Sequence, residues 1–425
     1  MKVFNLKESK LSAIREAEKR TSMVFDQALE AVKGIIEEVK RHGDDAVKSY
    51  DKRFSGITCN YEVKVSEDEV QEAYEAVGEE FINSIRVAIK VIESFHREEV
   101  PKPWVKELLS GVKVGVLPRP VDVAGLYIPG GRAPYPSTAL MTAIPARIAG
   151  VNRIIACTPP RSDGKANPHV IVALREAGVR DIYKAGGAQA IAAMAYGTES
   201  IPKVNVIAGP GNIYVVAAKH LVSRDVRIDV LAGPSELLVI ADDIADPKLV
   251  AIDLASQAEH DPLAQVALAA TSRSVIEKSM EELRALANES PIVKEVLEKS
   301  FIAVYGDADD LIDFANAYAP EHLQLMVSSP KDYLDKIKSA GVILVGPKTP
   351  TALSDYCAGP SHVLPTGRRA LFEGGLSTLT FIKLIHYVEV DEVNEDVFRA
   401  ALKLAEIEGF KLHAEALRRR LALER

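Results

Sequence analysis

Apolar residues recur three and four apart along two stretches near the start of the chain, 26–50 (DQALEAVKGIIEEVKRHGDDAVKSY) and 67–95, a spacing that predicts amphipathic helices. Both stretches are rich in charge and read as surface helices over a core. PKPW at 101–104 closes this section, since proline punctuates regular structure. From Val121 the pattern changes. VDVAGLYIP, NRIIACTPP, DIYKAGG and KVNVIAGPG read as strands entering Gly/Pro turns, with the helical stretches STALMTAIPARIAG, HVIVALREAG and AQAIAAMAYG between them. Strand followed by helix, repeated, predicts parallel βαβ units. The alternation resumes after Gly233 with ELLVIAD, QVALAAT, FIAVYGD and GVILVG. The expected fold class is therefore α/β: two Rossmann-like parallel-sheet domains plus small helical N- and C-terminal segments. Breaks are expected near 126–131 and 232–234, with a charged helical tail from 388 onward. No short-period repeat and no low-complexity tract is visible.

The 425 residues are long enough to bury a large core without disulfides or a structural metal. A net charge of −8 argues against nucleic acid as the main partner, and Arg418-Arg419-Arg420 suits the end of a helix. Cys59, Cys157 and Cys357 fit neither a disulfide framework nor a CxxC metal site. The N-terminus lacks the apolar stretch of a signal peptide, and no apolar run approaches membrane-spanning length. A reducing cytoplasm is the expected setting, with no membrane.

Open α/β sheets bind ligands beyond the carboxyl ends of their strands. The turns YIPGGRAPYPST, KAGGAQA, IAGPGN and LAGPSE are thus candidate site elements, each combining glycine with small polar residues. Gly209-Pro-Gly211-Asn212 opens a helix after a strand, but Tyr214 stands where a dinucleotide fingerprint has glycine; a plain tight turn is an equal reading. Gln257 and His260 are three apart and share a helix face, which suits either a metal site or a helix end. Glu321-His322 sits at a helix-strand junction, where imidazole can act as general base and carboxylate can orient water. Asp355, Ser361 and His362 crowd one Gly/Pro-rich loop, LSDYCAGPSHVLPT, a setting that favours function. Glu408 and His413 are about 140° apart on a regular helix and do not share a face unless Gly409 bends it. Cys157 reads as a core residue, while Cys357 lies close to His362.

Taken in order, GLYIPGGRAPYPSTALM, GGAQAIAA, GPGN, AGPSELLVIAD, SQAEHD, PEHL and SDYCAGPSHVLPT, with Glu408 and His413 following, resemble histidinol dehydrogenase over roughly 121–413. The N-terminal helices carry little of the resemblance. It implies one zinc ion per subunit held by Gln257, His260, Asp355 and His413, and Glu321 and His322 as general bases. It implies NAD contacts at Tyr127, Gln189 and Asn212. Substrate would meet Ser235, Gln257, His260, His322, Asp355, His362, Glu408 and His413. The implied reaction is the NAD-linked, two-step, four-electron oxidation of L-histidinol through L-histidinaldehyde to L-histidine, the last steps of histidine biosynthesis. The resemblance also implies an intertwined homodimer in which the segment bearing Glu408 and His413 completes the partner's site.

Nitrogen and oxygen donors suit zinc and tolerate manganese. The expected division of the chain is an N-terminal segment, 1–22; a discontinuous first α/β domain, 23–127 and 235–378; a second α/β domain, 128–234; and a small helical C-terminal domain, 379–425. Two rivals remain at this point: a metal hydrolase, which shares water-activating chemistry, and a regulatory protein that kept the fold without the reaction.

Overall fold

The computed structural model describes residues 2–18, 25–130 and 133–422. The expected border at 22/23, the end of the expected 126–131 break and the Gly131-Arg132 part of the first glycine-rich turn lie outside the described residues. Strand β1 (Lys2–Asn5) and helices α1 (Leu6–Glu18), α2 (Phe25–Ser55), α3 (Glu67–Ala76) and α4 (Glu79–Glu98) come first, followed by β2 (Trp104–Leu109) and β3 (Val112–Pro120). One alternation then runs β4 (Val123–Tyr127), α5 (Pro136–Ile148), β5 (Arg153–Thr158), α6 (Pro168–Glu176), β6 (Asp181–Lys184), α7 (Gly187–Tyr196), β7 (Val206–Ala208), α8 (Ile213–Val222) and β8 (Arg227–Ile228). A second comprises β9 (Glu236–Ala241), α9 (Pro247–Ala258), β10 (Gln265–Ala270), α10 (Arg273–Glu289), α11 (Pro291–Lys299), β11 (Ile302–Tyr305), α12 (Ala308–Tyr318), β12 (His322–Met326), α13 (Lys331–Leu334), β13 (Val342–Val345) and α14 (Thr351–Cys357). β14 (Ile382–Val390), α15 (Glu395–Ile407) and α16 (Lys411–Leu421) end the described chain.

The chain forms two compact units, one built from Met1–Glu99 and Val121–Phe381, the other from Val100–Pro120 and Ile382–Arg425. The first holds two parallel sheets, ordered β1-β11-β10-β9-β12-β13 and β6-β5-β4-β7-β8. Leaving β1 aside, both follow one winding: the first strand lies centrally, two follow on one side and two on the other. That is the doubly wound order, with a switch point beside the first strand. Strand β9 shows the period of two. Leu237, Val239 and Ala241 enter the core under α9–α11, whereas Leu238 and Ile240 enter the opposite core with α1 and α12.

The five-stranded sheet is covered on one face by α7, α8 and the long α2, whose Ala28, Val32, Ile36, Val39 and Val47 share a core with Ile155, Tyr183 and Ile207. Helices α3 and α4 pack on α5 and α6. These contacts correct two expected borders. Residues 25–98 contribute to the core around the five-stranded sheet rather than to a first domain with 235–378. The 127/128 border also places β4 in a different domain from β5 and β7, whose ladders to it make it the central strand of that sheet. The N-terminal segment is not helical throughout either, because β1 pairs parallel with β11.

The second unit is an antiparallel sheet, β14-β3-β2, with the helix pair α15 and α16. Its two early strands escaped the sequence reading, and the helical tail expected from 388 begins instead as the end of β14. Gly409, at φ 79°, separates α15 from α16 as anticipated, a left-handed conformation that glycine adopts without strain. Among the described residues, no helix is long and apolar enough to cross a membrane.

Candidate active site

Three turns meet the carboxyl edge of the five-stranded sheet around its switch point, which lies beside β4. Tyr127 ends β4 and is buried; its hydroxyl accepts a hydrogen bond from the Gly187 backbone N–H at 2.9 Å. Gln189 stands in the first turn of α7, buried, with its amide Nε2 donating to Asp51 Oδ1 at 2.8 Å and Oε1 left without a hydrogen-bond partner. Asn212 is exposed at the N-cap of α8 and accepts from the N–H groups of Tyr214 and Val215. Between β7 and that cap, Gly209 takes φ 127°, and a Cβ there would stand 2.1 Å from the Tyr127 carbonyl oxygen. Only glycine brings backbone this close.

A buried ion pair grips Gly209 from both sides. Lys219 Nζ donates to the carbonyls of Gly209 (2.9 Å) and Val230 (2.8 Å) and pairs with Asp229, whose Oδ2 accepts from the Gly209 N–H at 2.7 Å. Burial holds the Asp229 carboxyl above its usual pKa, against the pull of Lys219. Sequence reasoning missed both this pair and Asp51. The signal was present. Lys219 is four residues past Val215 on an apolar helix, and Asp51 is four past Val47 on the buried stripe of α2. A charge on an apolar stripe needs a partner.

The six-stranded sheet presents its opposite edge. His322 opens β12 and Glu236 opens β9, side by side at the amino ends of the strands. LAGPSE, expected at a carboxyl edge, leads into β9 and is corrected accordingly. The His322 ring is buried; Nδ1 stands 3.1 Å from the Glu236 carbonyl and Nε2 3.1 Å from Asp355 Oδ1. A carbonyl only accepts, so Nδ1 carries hydrogen. Burial works to lower the His322 pKa. The Glu321 charge, with Oε2 3.5 Å from Nδ1, and the Asp355 hydrogen bond outweigh it and hold the ring well above the usual histidine value. Glu321 is itself fixed, its Oε2 accepting from the Glu236 N–H at 2.7 Å.

Asp355 lies on the helix α14, not in a loop as expected; the loop begins after Cys357 and carries Ser361 and His362. Burial raises the Asp355 pKa, but the His322 hydrogen bond and the charges of His322, His362 and His260 leave it below the usual carboxylate range. His362 Nδ1 faces the Asp355 carbonyl at 2.8 Å and so is the donor, and Nε2 faces Thr138 Oγ1 at 3.0 Å. Burial pushes the His362 pKa down, which favours this neutral form.

Gln257 is buried near the end of α9, with its amide nitrogen lacking a partner, and His260 is exposed just past that helix. Helices α9 and α14 pack together. Ser235, half-buried, precedes β9, and its carbonyl accepts from the Gln265 N–H. Glu408 caps α15 and His413 lies in α16 against the Phe410 ring; both are exposed on the second unit. The first unit thus joins Asp355, His322, Glu321 and His362 directly. No group of three or more His, Cys, Asp or Glu side chains able to hold a metal is found among the described residues. Cys157 is fully buried and burial pushes its thiol pKa up, which disfavours the thiolate.

A family model described as histidinol dehydrogenase matches residues 18–421. A histidinol dehydrogenase of Methanothermobacter thermautotrophicus is 45% identical over 416 residues, covering 96% of this chain and 97% of that protein. One of Methanocaldococcus jannaschii is 43% identical, covering 95% and 94%. The crystal structure of histidinol dehydrogenase from Elizabethkingia anophelis superposes with a TM-score of 0.95 at 37% identity, covering 100% of this chain and 99% of that one.

Proposed function

Because the chain belongs to the histidinol dehydrogenase family of oxidoreductases, we propose that it carries L-histidinol through two successive oxidations, by way of L-histidinaldehyde, to L-histidine. The observation that carries this reading is the pairing of Glu321 and His322 at the amino edge of β12, each held by the backbone of Glu236. A rigid base and a rigid carboxylate are what alcohol oxidation followed by aldehyde hydration requires.

Two cofactors belong to this proposal, and the residues fit both. NAD, when bound, supplies the two-electron acceptor for each oxidation. Its support is the switch point of the five-stranded sheet, where Tyr127 ends β4 and the buried Gln189 oxygen has no partner; the close approach at Gly209 is to the Tyr127 carbonyl and packs the turn against β4. Zinc, when bound, supplies an electrophilic anchor for the nitrogen atoms of the substrate. Gln257, His260, Asp355 and His413 are nitrogen and oxygen donors of the kind zinc takes, Gln257 through its amide oxygen, and His260 stands close enough to Asp355 for its charge to act on that carboxylate.

His322 is the base through Nε2, since Nδ1 is committed to the Glu236 carbonyl. Nε2 faces the Asp355 carboxylate and carries hydrogen there, so the form that takes the substrate hydroxyl proton is the neutral ring released from that contact. In the second half-reaction Glu321 offers Oε1 to a water molecule, its Oε2 being engaged by the Glu236 N–H. His362, with Nδ1–H tied to the Asp355 carbonyl, has Nε2 as its acceptor atom, which meets the substrate by exchanging the Thr138 hydroxyl for it. Keeping the aldehyde in place through both steps protects it from side reactions.

His413 and Glu408 belong to the second unit, and we propose that they complete the site of the other subunit of a homodimer. The second unit exposes Leu384, Val388, Leu404, Ile407, Phe410 and Leu412, an amount of apolar surface that supports burial against another copy. The cytoplasm is the proposed location, and the three free cysteines are consistent with it. The test is His322→Gln. The variant is expected to bind L-histidinol while losing NADH formation by several orders of magnitude. Near-normal turnover would remove His322 from the role of base.

A further inference from the structure

Asp51 lies outside the resembling motifs and is fully buried on α2. Its carboxylate gathers three donors. Oδ1 accepts from the Gly186 N–H at 3.1 Å and from Gln189 Nε2 at 2.8 Å, and Oδ2 accepts from the Tyr61 hydroxyl at 2.9 Å. Two of these donors stand at the start of α7, Gly186 at its N-cap and Gln189 in its first turn, beside Gly187, whose N–H donates to the Tyr127 hydroxyl. The turn has no slack: Gly187 sits at φ 57°, and a Cβ on Gly186 would meet Pro159 at 2.7 Å.

The chemistry of the carboxylate decides which way the Gln189 amide points. An ionised carboxylate only accepts, so the NH2 end faces Asp51 and the oxygen end faces away. That oxygen, on a side chain 1% exposed, has no hydrogen-bond partner in the chain. A buried acceptor left open is costly unless a ligand supplies the donor.

We propose that Asp51 is a positioning residue for the cofactor, orienting Gln189 so that its Oε1 accepts a hydrogen bond from an N–H or O–H donor of the bound dinucleotide. This rests on the proposed NAD reading. The orientation also depends on Asp51 being ionised, since a protonated carboxyl becomes a donor and no longer dictates the amide. The titratable groups facing Asp51 are Tyr61, Tyr127 on β4 and Cys157 on β5, none of them cationic. Burial accordingly raises the Asp51 pKa to about 6, its three hydrogen bonds notwithstanding.

The experiment is calorimetric titration of the purified full-length protein with NAD, from pH 7 to pH 5, for the wild type, Asp51→Asn, Gln189→Ala and the double variant. Wild-type affinity is expected to fall roughly three- to tenfold across that range, the weight of one hydrogen bond. Gln189→Ala is expected to be weak and pH-independent over the same interval, and it serves alone if Asp51→Asn does not fold. The double variant is expected to bind no more weakly than Gln189→Ala, because Asp51 acts through Gln189. Additive losses, or an unchanged pH dependence in Gln189→Ala, would overturn the inference while NAD binding by the wild type stood. A wild type that does not bind NAD would overturn the cofactor reading first, and this inference with it.

Discussion

Replacing Lys219 by Met leaves Asp229 as a carboxylate with no cation in a fully buried setting, the two side chains being 1% and 0% exposed. What remains to Asp229 is the Gly209 N–H, while the carbonyls of Gly209 and Val230 lose their donor. Breaking a buried pair in this way costs about 3–5 kcal/mol, because the surviving charge is uncompensated. Asp229→Asn keeps an acceptor for Gly209 but strands the ammonium, and a loss of about 3 kcal/mol is expected. In Lys219→Met/Asp229→Asn neither charge survives, so the double variant should be more stable than the sum of the singles predicts, by about 2–3 kcal/mol. Urea unfolding followed by circular dichroism, at one protein concentration and metal loading, measures all four corners of the cycle. Since the pair holds both the N–H and the carbonyl of Gly209, NAD affinity should fall in each single variant as well. Singles that cost under about 1 kcal/mol each, or that add strictly, would refute the claim that this pair holds the turn.

His413→Ala should lower bound zinc by metal analysis while leaving the fold intact, and full zinc occupancy would remove His413 from the ligand set. If sites are shared between subunits, mixing His322→Gln with His413→Ala and allowing exchange should restore part of the activity that each lacks; no recovery in verified hybrids would contradict sharing. Asp51 makes a contribution to stability whose sign is fixed by its pKa, raised from an ordinary 3.8 to about 6. Across that window the folded state binds more protons than the unfolded one, so stability falls as pH rises, by up to about 3 kcal/mol. Urea midpoints at pH 4 and pH 7 should show this slope in the wild type and not in Asp51→Asn; equal slopes would contradict the burial account. Cys157→Ser/Cys357→Ser is expected to retain turnover if it folds, and a folded but inactive protein would bring a thiol into the chemistry.

Much of the architecture is legible in local pattern. The periods of 2 and 3.6 place the βα alternation, Asn212 reads correctly as opening a helix, and Glu321-His322 falls at its helix-strand junction. What pattern misses is long-range. β2 is exposed at every residue, so no alternation marks it, and it becomes a strand only through its ladder to β3. Strand order is likewise invisible locally, and with it the fact that one sheet offers its carboxyl edge and the other its amino edge. The assignment of α2 follows from which sheet its apolar stripe meets, a choice that composition does not encode. Asp51 and Lys219 were readable as charges on apolar stripes, but their partners, Gln189 and Gly209, lie far away or across a turn.

The most direct test of the central claim is to mix the purified protein with L-histidinol and excess NAD and to count NADH by absorbance, before and after chelation. Two NADH per L-histidinol, lost on chelation and restored by zinc, is the predicted result. One NADH per substrate would mean that the aldehyde is released and that Glu321 has no second oxidation to serve, and no NADH from folded, zinc-loaded protein would contradict the account as a whole.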